Sequence, residues 1–255
     1  MLEMIDFFIG HVTVGQISER NMFKKNKIPK KYQPKGYEII YEDRDIIVGN
    51  KATGFLTVSA LWNKENTIHR ALNHYIRKGQ VKSSKCVFVV HRLDQATSGV
   101  LIFAKSSEAQ VFLKDDWKNT KKTYFAVVHG KLPQKSGMLS SYLLEDDDYV
   151  MRSVSADNAN AKLAQTAYKV VKESQQFSLL EIDLLTGRKN QIRVHMAQEG
   201  HPVVGDTKYG KKQKRYPRLA LHAQSIAFNH PFSKERFVFE IPVPEFFNSL
   251  MRSGQ

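Results

Sequence analysis

His91-Arg92-Leu93-Asp94-Gln95-Ala96-Thr97-Ser98-Gly99 separates two apolar runs, Cys86-Val87-Phe88-Val89-Val90 and Val100-Leu101-Ile102-Phe103-Ala104. Both runs are rich in β-branched and aromatic residues and have the length of buried strands. Small residues ending in Gly are the expected turn chemistry between them, because Gly reaches positive φ at no steric cost. A turn does not explain the charges. His91, Arg92 and Asp94 fall within four residues at the mouth of what the strands make core. Two readings fit. One is a solvent-facing hairpin loop with a structural Arg–Asp pair. The other is a positioned carboxylate, with the Thr97 and Ser98 hydroxyls donating hydrogen bonds to Asp94.

The chain has 255 residues, enough for one large domain or two small ones with a substantial core. Lys and Arg number 39 against 25 Asp and Glu, a net charge of +14. A clustered excess of this size favours a polyanionic partner, nucleic acid before membrane. Cys86 is the only cysteine, which rules out an internal disulfide or a Cys-based zinc cage and suits a reducing compartment. No apolar run approaches the ~18 residues of a membrane span. The early acids Glu3 and Asp6, with no basic lead-in, do not read as a secretory signal. A cytoplasmic protein is expected.

Residues 1–36 read as an extension. Lys24, Lys25, Lys27, Lys30, Lys31 and Lys35 arrive with Pro29 and Pro34, a basic arm that either grips phosphates or serves as a solubilising tail. From Tyr37 the pattern turns to strands, with Tyr37–Tyr41 and Ile46–Val48 flanking a hairpin turn at 42–45. Ile68, Ala71, Leu72, Tyr75 and Ile76 predict a helix from an N-cap at Thr67 to about Lys78, with Gly79 as C-cap. His69 and His74 on it read as ordinary surface or boundary residues. Ser107-Glu108-Ala109-Gln110 fits a capping box opening a helix toward Trp117. A strand is expected over Lys122–Gly130. The segment 131–160, with the acidic run Glu145–Asp148, reads as a solvated loop or hairpin tip and not as a metal site. Further strands are expected over Ala164–Val171, Phe177–Leu185, Leu219–Phe228 and Phe237–Ile241. Between them, Leu185–His195 passes through a Gly turn into a short helix ending near Gly200. Many short strands with two or three helices argue an α+β fold around a mainly antiparallel sheet.

The nonapeptide resembles the signature H-R-L-D-x-x-T-S-G of the RluA-type pseudouridine synthases, which isomerise selected uridines in ribosomal or transfer RNA. Lys122-Thr123-Tyr124-Phe125-Ala126-Val127-Val128-His129-Gly130 resembles that family's K-x-Y-x-A-x-V-x-G. The segment through Thr186, Gly187, Arg188, Gln191, Ile192, Arg193 and His195 is similar to its L-x-T-G-R-x-H-Q-I-R-x-H, with Asn190 in place of the usual His. Asn50-Lys51-Ala52-Thr53-Gly54 resembles N-K-P-A-G with Ala-Thr for Pro-Ala, and Gly205-Asp206-Thr207-Lys208-Tyr209-Gly210 resembles G-D-x-x-Y-G. The resemblance implies one catalytic domain over 37–255, a mixed and mainly antiparallel sheet with flanking helices and a central active-site cleft. No separate N-terminal RNA-binding domain fits into residues 1–36.

By the same resemblance Asp94 is the catalytic carboxylate, Arg193 orients it and lowers its pKa, and Tyr124 stacks on the target base and is placed to take its C5 proton. Ile192 walls the other side. Arg92 fills the space left when the uridine leaves its stack, and His91 and Thr97 join the substrate-binding set. The basic cluster Lys208, Lys211, Lys212, Lys214, Arg215 and Arg218 is read as phosphate-binding, against the alternative of general solubility. The isomerisation moves no electrons in or out and transfers no group, so neither cofactor nor metal is called for. RNA is the expected partner of a monomer that binds no membrane. Two other readings compete: a catalytically silent RNA-binding or ribosome-assembly module on the same fold, and a hydrolase. The second wants paired carboxylates or a metal set, and the motifs offer one acid.

Overall fold

The computed structural model describes residues 28–253 other than 61, 62, 64, 79, 81 and 211–215. The hairpin pattern gives β1 (Tyr37–Glu42) and β2 (Ile46–Lys51), paired antiparallel. Asp43 closes their turn by accepting the N–H groups of Asp45 and Ile46, each at 2.8 Å. β3 (Phe88–Val89) and β4 (Ser98–Ala104) bracket the signature loop. Then follow β5 (Lys121–His129), β6 (Ser136–Glu145), β7 (Met151–Val154), β8 (Lys162–Glu173), β9 (Phe177–Leu184), β10 (Leu221–Asn229) and β11 (Arg236–Glu240). All lie in one sheet of order β1-β2-β4-β10-β5-β9-β8-β6-β7, with β3 on β4 and β11 on β10. The helices are α1 (Ile68–Arg77), α2 (Ser107–Asp115), α3 (Gln191–Gln198) and α4 (Glu245–Ser253). The α+β expectation holds.

Several local expectations are corrected. The apolar run at 86–90 yields only the two-residue β3, because side chains take its backbone groups. Asn73 Oδ1 accepts from Val87 N–H at 2.8 Å and Gln110 Nε2 donates to Val89 O at 2.7 Å. α2 is capped one residue earlier than the capping box implied. Ser106 Oγ accepts from Ala109 N–H at 3.1 Å, and the helix tightens into a 3₁₀ turn at Asp116–Asn119. Most of 131–160 is strand, in β6 and β7, and the acidic run marks the turn between them. After β11 the described residues end on α4, a helix where the sequence reading assigns no element. Thr67 does cap α1, accepting from Arg70 N–H at 3.1 Å, and Lys78 closes it at φ 48°. Gly79, the lysines of 24–27 and the rest of 1–27 lie outside the described residues. Lys30–Tyr32, between Pro29 and Pro34, form a single 3₁₀ turn.

Alternation divides the interior. Leu101 and Phe103 face a core shared with Ile47, Tyr124 and Ile182 and covered by α1, α3 and α4. Val100 and Ile102 face a second core with Ile46, Val48, Phe228 and Phe239, covered by α2. β4 is therefore buried on both faces, which is why its sequence is continuously apolar.

The two halves of the sheet meet at a narrow joint. β4 and β10 run parallel, the other pairings antiparallel, and their register is confined to Ser98 with His222 and Gly99 with Ala223. Beyond it β10 turns to pair with β11. Gly99 sits at φ +128°, and a Cβ there would come within 2.2 Å of Ala223 O. Gly99→Ala should therefore lower the melting temperature by on the order of 10 °C, the scale of a severe backbone clash in a chain of this size. A variant that melts with the wild type in a thermal scan would show that the joint tolerates a side chain.

Candidate active site

The signature loop crosses the top of this joint, and the protein fixes its backbone at nearly every residue. Leu93 exchanges two hydrogen bonds with Thr57 Oγ1, donating its N–H at 3.1 Å and accepting at its carbonyl at 2.9 Å. Gly54 N–H donates to Gln95 O at 2.8 Å, and Thr53 Oγ1 to Ala96 O at 2.8 Å. The fully buried Lys51 stitches the same loop from below. Its ammonium donates to Ala52 O, Phe55 O and Gln95 O at 2.9, 2.8 and 3.2 Å. Burial, with the Arg218 charge against it and the Asp94 charge partly offsetting, brings Lys51 down to about 7.

Asp94 emerges from this loop with about a quarter of its side chain exposed, 27%. α3 brings Arg193 to it, with Nη1 3.6 Å from Asp94 Oδ2. Arg193 belongs more firmly to Asp206, which is fully buried. Nε and Nη2 donate to Oδ2 and Oδ1 at 2.7 and 2.8 Å, a bidentate pair. Asp206 Oδ1 also accepts the N–H groups of Lys208 and Tyr209, at 2.9 and 3.0 Å. Burial pushes the Asp206 carboxyl up, but these donors outweigh it and hold it below the usual carboxylate range. Asn190 completes the clamp. At φ 53°, a left-handed conformation Asn tolerates, its Oδ1 accepts from Arg193 Nη1 at 3.0 Å and its amide donates to Tyr209 Oη at 3.1 Å.

Burial raises the Asp94 carboxyl above its ordinary range. Arg193 and Lys51 pull it back, Asp206 pushes with burial, and the net direction is upward. Arg193 thus lowers Asp94 as its charge requires, but burial outweighs that pull. The guanidinium is already neutralised from behind. Tyr124, buried in β5, faces the same acid: burial first and the Asp94 charge second raise its phenol and keep it protonated. Ile192, at the start of α3, is buried beside Arg193. Arg92 is exposed and makes no hydrogen bond or ion pair with a described residue.

The remaining residues singled out by their motifs have different duties. Ser98 does not bond Asp94. Its hydroxyl pairs with His222 Nδ1 at 2.8 Å and accepts from Arg218 Nη2 at 2.5 Å. Thr97 is buried and closes the turn by donating its N–H to the main-chain carbonyl of Asp94 at 3.1 Å. His91 Nε2 accepts from Ile102 N–H at 3.1 Å, and its ring lies 4.9 Å from Trp117. Burial and the nearby Lys122 bring it to about 3, so it is neutral, a brace for β4 and not a ligand presented to the cleft. The exposed Lys208 donates to Tyr149 O at 2.7 Å, whereas Lys211, Lys212, Lys214 and Arg215 lie outside the described residues. Lys51, Asp206 and Tyr209 are site residues that the sequence reading misses, although the motif-like segments at 50–54 and 205–210 contain them.

The sequence profile of the RNA pseudouridylate synthase family matches residues 45–198, which include the signature loop, Tyr124 and Arg193. The chain belongs to the RNA pseudouridylate synthase family. It is 33% identical over 254 residues to ribosomal large subunit pseudouridine synthase D of Nitrosomonas europaea, covering 95% of this chain and 70% of that one. It is 33% identical over 240 residues to tRNA pseudouridine synthase C of Vibrio parahaemolyticus, covering 85% and 94%. The solved structure of human RNA pseudouridylate synthase domain containing 4 superposes with a TM-score of 0.68 at 23% identity, covering 82% of this chain and 90% of that one. The fold of this pseudouridylate synthase is thus shared with proteins of distant sequence.

The raised carboxyl has a consequence for stability. An acid whose pKa is higher folded than unfolded is most compatible with folding below its unfolded pKa. That stability is lost as pH rises through the folded value. Asp94→Asn should therefore raise the urea midpoint at pH 7.5, and the gain should vanish toward about pH 3.5, below the unfolded carboxylate range. A gain that persists undiminished in acid would mean that Asp94 is not strained by burial.

Proposed function

We infer that this chain converts uridine to pseudouridine in ribosomal or transfer RNA, with Asp94 as catalytic carboxylate in a single catalytic unit over residues 37–255. The observation that carries the reading is a partly exposed acid between a clamped guanidinium and a buried tyrosine, in a member of this family. The C1′–N1 bond breaks, the base turns, C5 joins C1′, the C5 hydrogen leaves as a proton and N1 takes one. Asp94 acts ionised, attacking C1′ or removing a sugar proton. Arg193 keeps it oriented without sharing its proton. Tyr124 stacks on the base. Since its phenol is protonated, C5-proton removal through its oxygen requires the phenolic proton to pass onward, and Asp94 is the acceptor at hand. Arg92, exposed and unengaged with the described residues, takes the place of the extruded uridine among the neighbouring bases. Ile192 closes the apolar side of the base pocket.

Tritium release from ribosomal and transfer RNA labelled at uridine C5 tests this directly. Asp94→Asn should abolish release while leaving RNA binding intact, and the wild-type rate should fall with acid at a pH above the ordinary carboxylate range. Binding without release in the wild type would favour the silent RNA-binding module. Comparing pseudouridine maps of RNA from cells with and without the protein identifies the target.

For the basic segment, we infer phosphate contact by Lys208, Lys211, Lys212 and Lys214. Replacing them together by Ala should weaken binding to unfractionated transfer RNA and flatten its log–log salt dependence by roughly 0.7–0.9 per lost contact. An unchanged slope would return these lysines to a solubility role.

A further inference from the structure

Arg218 ends the basic segment in sequence, and its own surroundings belong to the described fold. Its neighbours are locked into the fold: Ala220 N–H donates to Val204 O at 2.8 Å, and Val127 N–H to Ala220 O at 3.0 Å. Its own backbone carbonyl presses on Gly205, where a Cβ would lie 2.1 Å away, beside the Asp206 that holds Arg193. The side chain is half-buried and runs to the joint between the half-sheets. There Nη2 donates to Ser98 Oγ at 2.5 Å and Nε to Leu219 O at 3.3 Å.

The guanidinium has no carboxylate partner among the described residues. Its brace is neutral. Ser98 passes the interaction to His222, which burial and the Arg218 charge bring down to about 4. The brace thus fixes direction and supplies no countercharge. Arg218 is also close enough to Lys51 to depress its pKa, and Lys51 in turn lies within reach of the Asp94 charge. Arg193 pairs with both Asp206 and Asp94, whereas Arg218 has no carboxylate of its own among the described residues. A half-buried, aimed and uncompensated guanidinium suits one anion with planar, bidentate acceptors.

We propose that Arg218 binds the RNA backbone phosphate adjoining the target uridine, holding the extruded nucleotide so that its sugar meets Asp94. This rests on the isomerase reading above and adds to it a specific phosphate subsite, in addition to the contacts proposed for Lys208, Lys211, Lys212 and Lys214.

The test uses a stem-loop RNA built around the uridine mapped as this enzyme's target. It is made with phosphodiesters throughout, or with a single uncharged methylphosphonate immediately 5′ or 3′ of that uridine. With the wild type, one methylphosphonate position should lower kcat/KM roughly ten- to hundredfold, the scale of a charge-assisted hydrogen-bonded contact. Arg218→Ala should lose a similar factor on the phosphodiester RNA and almost nothing more on that methylphosphonate. Arg218→Lys, which keeps the charge but not the fork, should lose less. Losses that multiply when variant and modified RNA are combined would reduce Arg218 to a brace for Ser98 and overturn the proposal. So would a wild type indifferent to both methylphosphonates, an arm that does not depend on any variant folding. A wild type that fails to convert the unmodified stem-loop would overturn the isomerase reading itself, and this inference with it.

Discussion

One guanidinium divided unequally between two carboxylates sets the geometry of the cleft. Arg193 gives its bidentate face to the buried Asp206 and only its remaining nitrogen, at 3.6 Å, to Asp94. Such a buried pair is weak evidence for stability, since desolvation costs about what the attraction returns. Its effect here is positional. With Asp206 bonded also to the N–H groups of Lys208 and Tyr209, the guanidinium cannot swing toward Asp94 and collapse onto it. Asp94 keeps a cation beside it for orientation and keeps its lone pairs for something else. Burial raises the Asp94 carboxyl, and the share of Arg193 that reaches it offsets this only in part.

That division works only if α3 and the signature loop are held at a fixed separation, and the sheet accomplishes this. The loop enters β4, α3 is reached from β9, and the two half-sheets touch through Gly99 and Ala223. A sheet that continued evenly through this point would leave no cleft. One that separated fully would leave Asp94 without Arg193. The narrow parallel joint, flanked by strands that diverge, gives an opening with a rigid floor. Lys51 fills the floor in an unusual way, replacing an apolar side chain with an ammonium satisfied by three carbonyls. It thereby ties the Ala52–Phe55 turn to Gln95.

Much of this is legible in the chain. Runs of β-branched and aromatic residues announce β1, β2, β5, β8 and β9, and the family resemblance implies that Asp94, Tyr124 and Arg193 belong together. The failures have physical causes. β6 and β7 carry little apolar periodicity because that part of the sheet is half exposed, as Met138 and Leu163 show. β3 is short because Asn73 and Gln110 intercept its backbone, a long-range event that no local pattern encodes. α4 has a signal that the sequence reading, which stops at Ile241, passes over, since Phe247, Leu250 and Met251 repeat at helical spacing after Pro244 and all three are buried. Ser98 pairs with Asp94 only on proximity in sequence. Its actual partners, Arg218 and His222, are more than a hundred residues away along the chain.

Asn190 shows what the site demands of a position and what it does not. The residue stands where the resembled motif has His, and a reading by side-chain identity would predict a weakened clamp. The backbone there must adopt φ 53° to start α3, and the side chain must offer an acceptor to Arg193 Nη1 and reach Tyr209 Oη. Asn meets all three requirements, and it is among the few non-glycine residues at ease in the left-handed region. What is required is an acceptor at a fixed point, not an imidazole. The same logic separates the charges of the cleft. Lys51, Arg193, Asp94 and Asp206 all bear a desolvation cost to lie where the half-sheets join, a place that stability alone would fill with leucine and valine. A sequence that breaks the local rule four times around one opening marks that opening as the part of the molecule that acts.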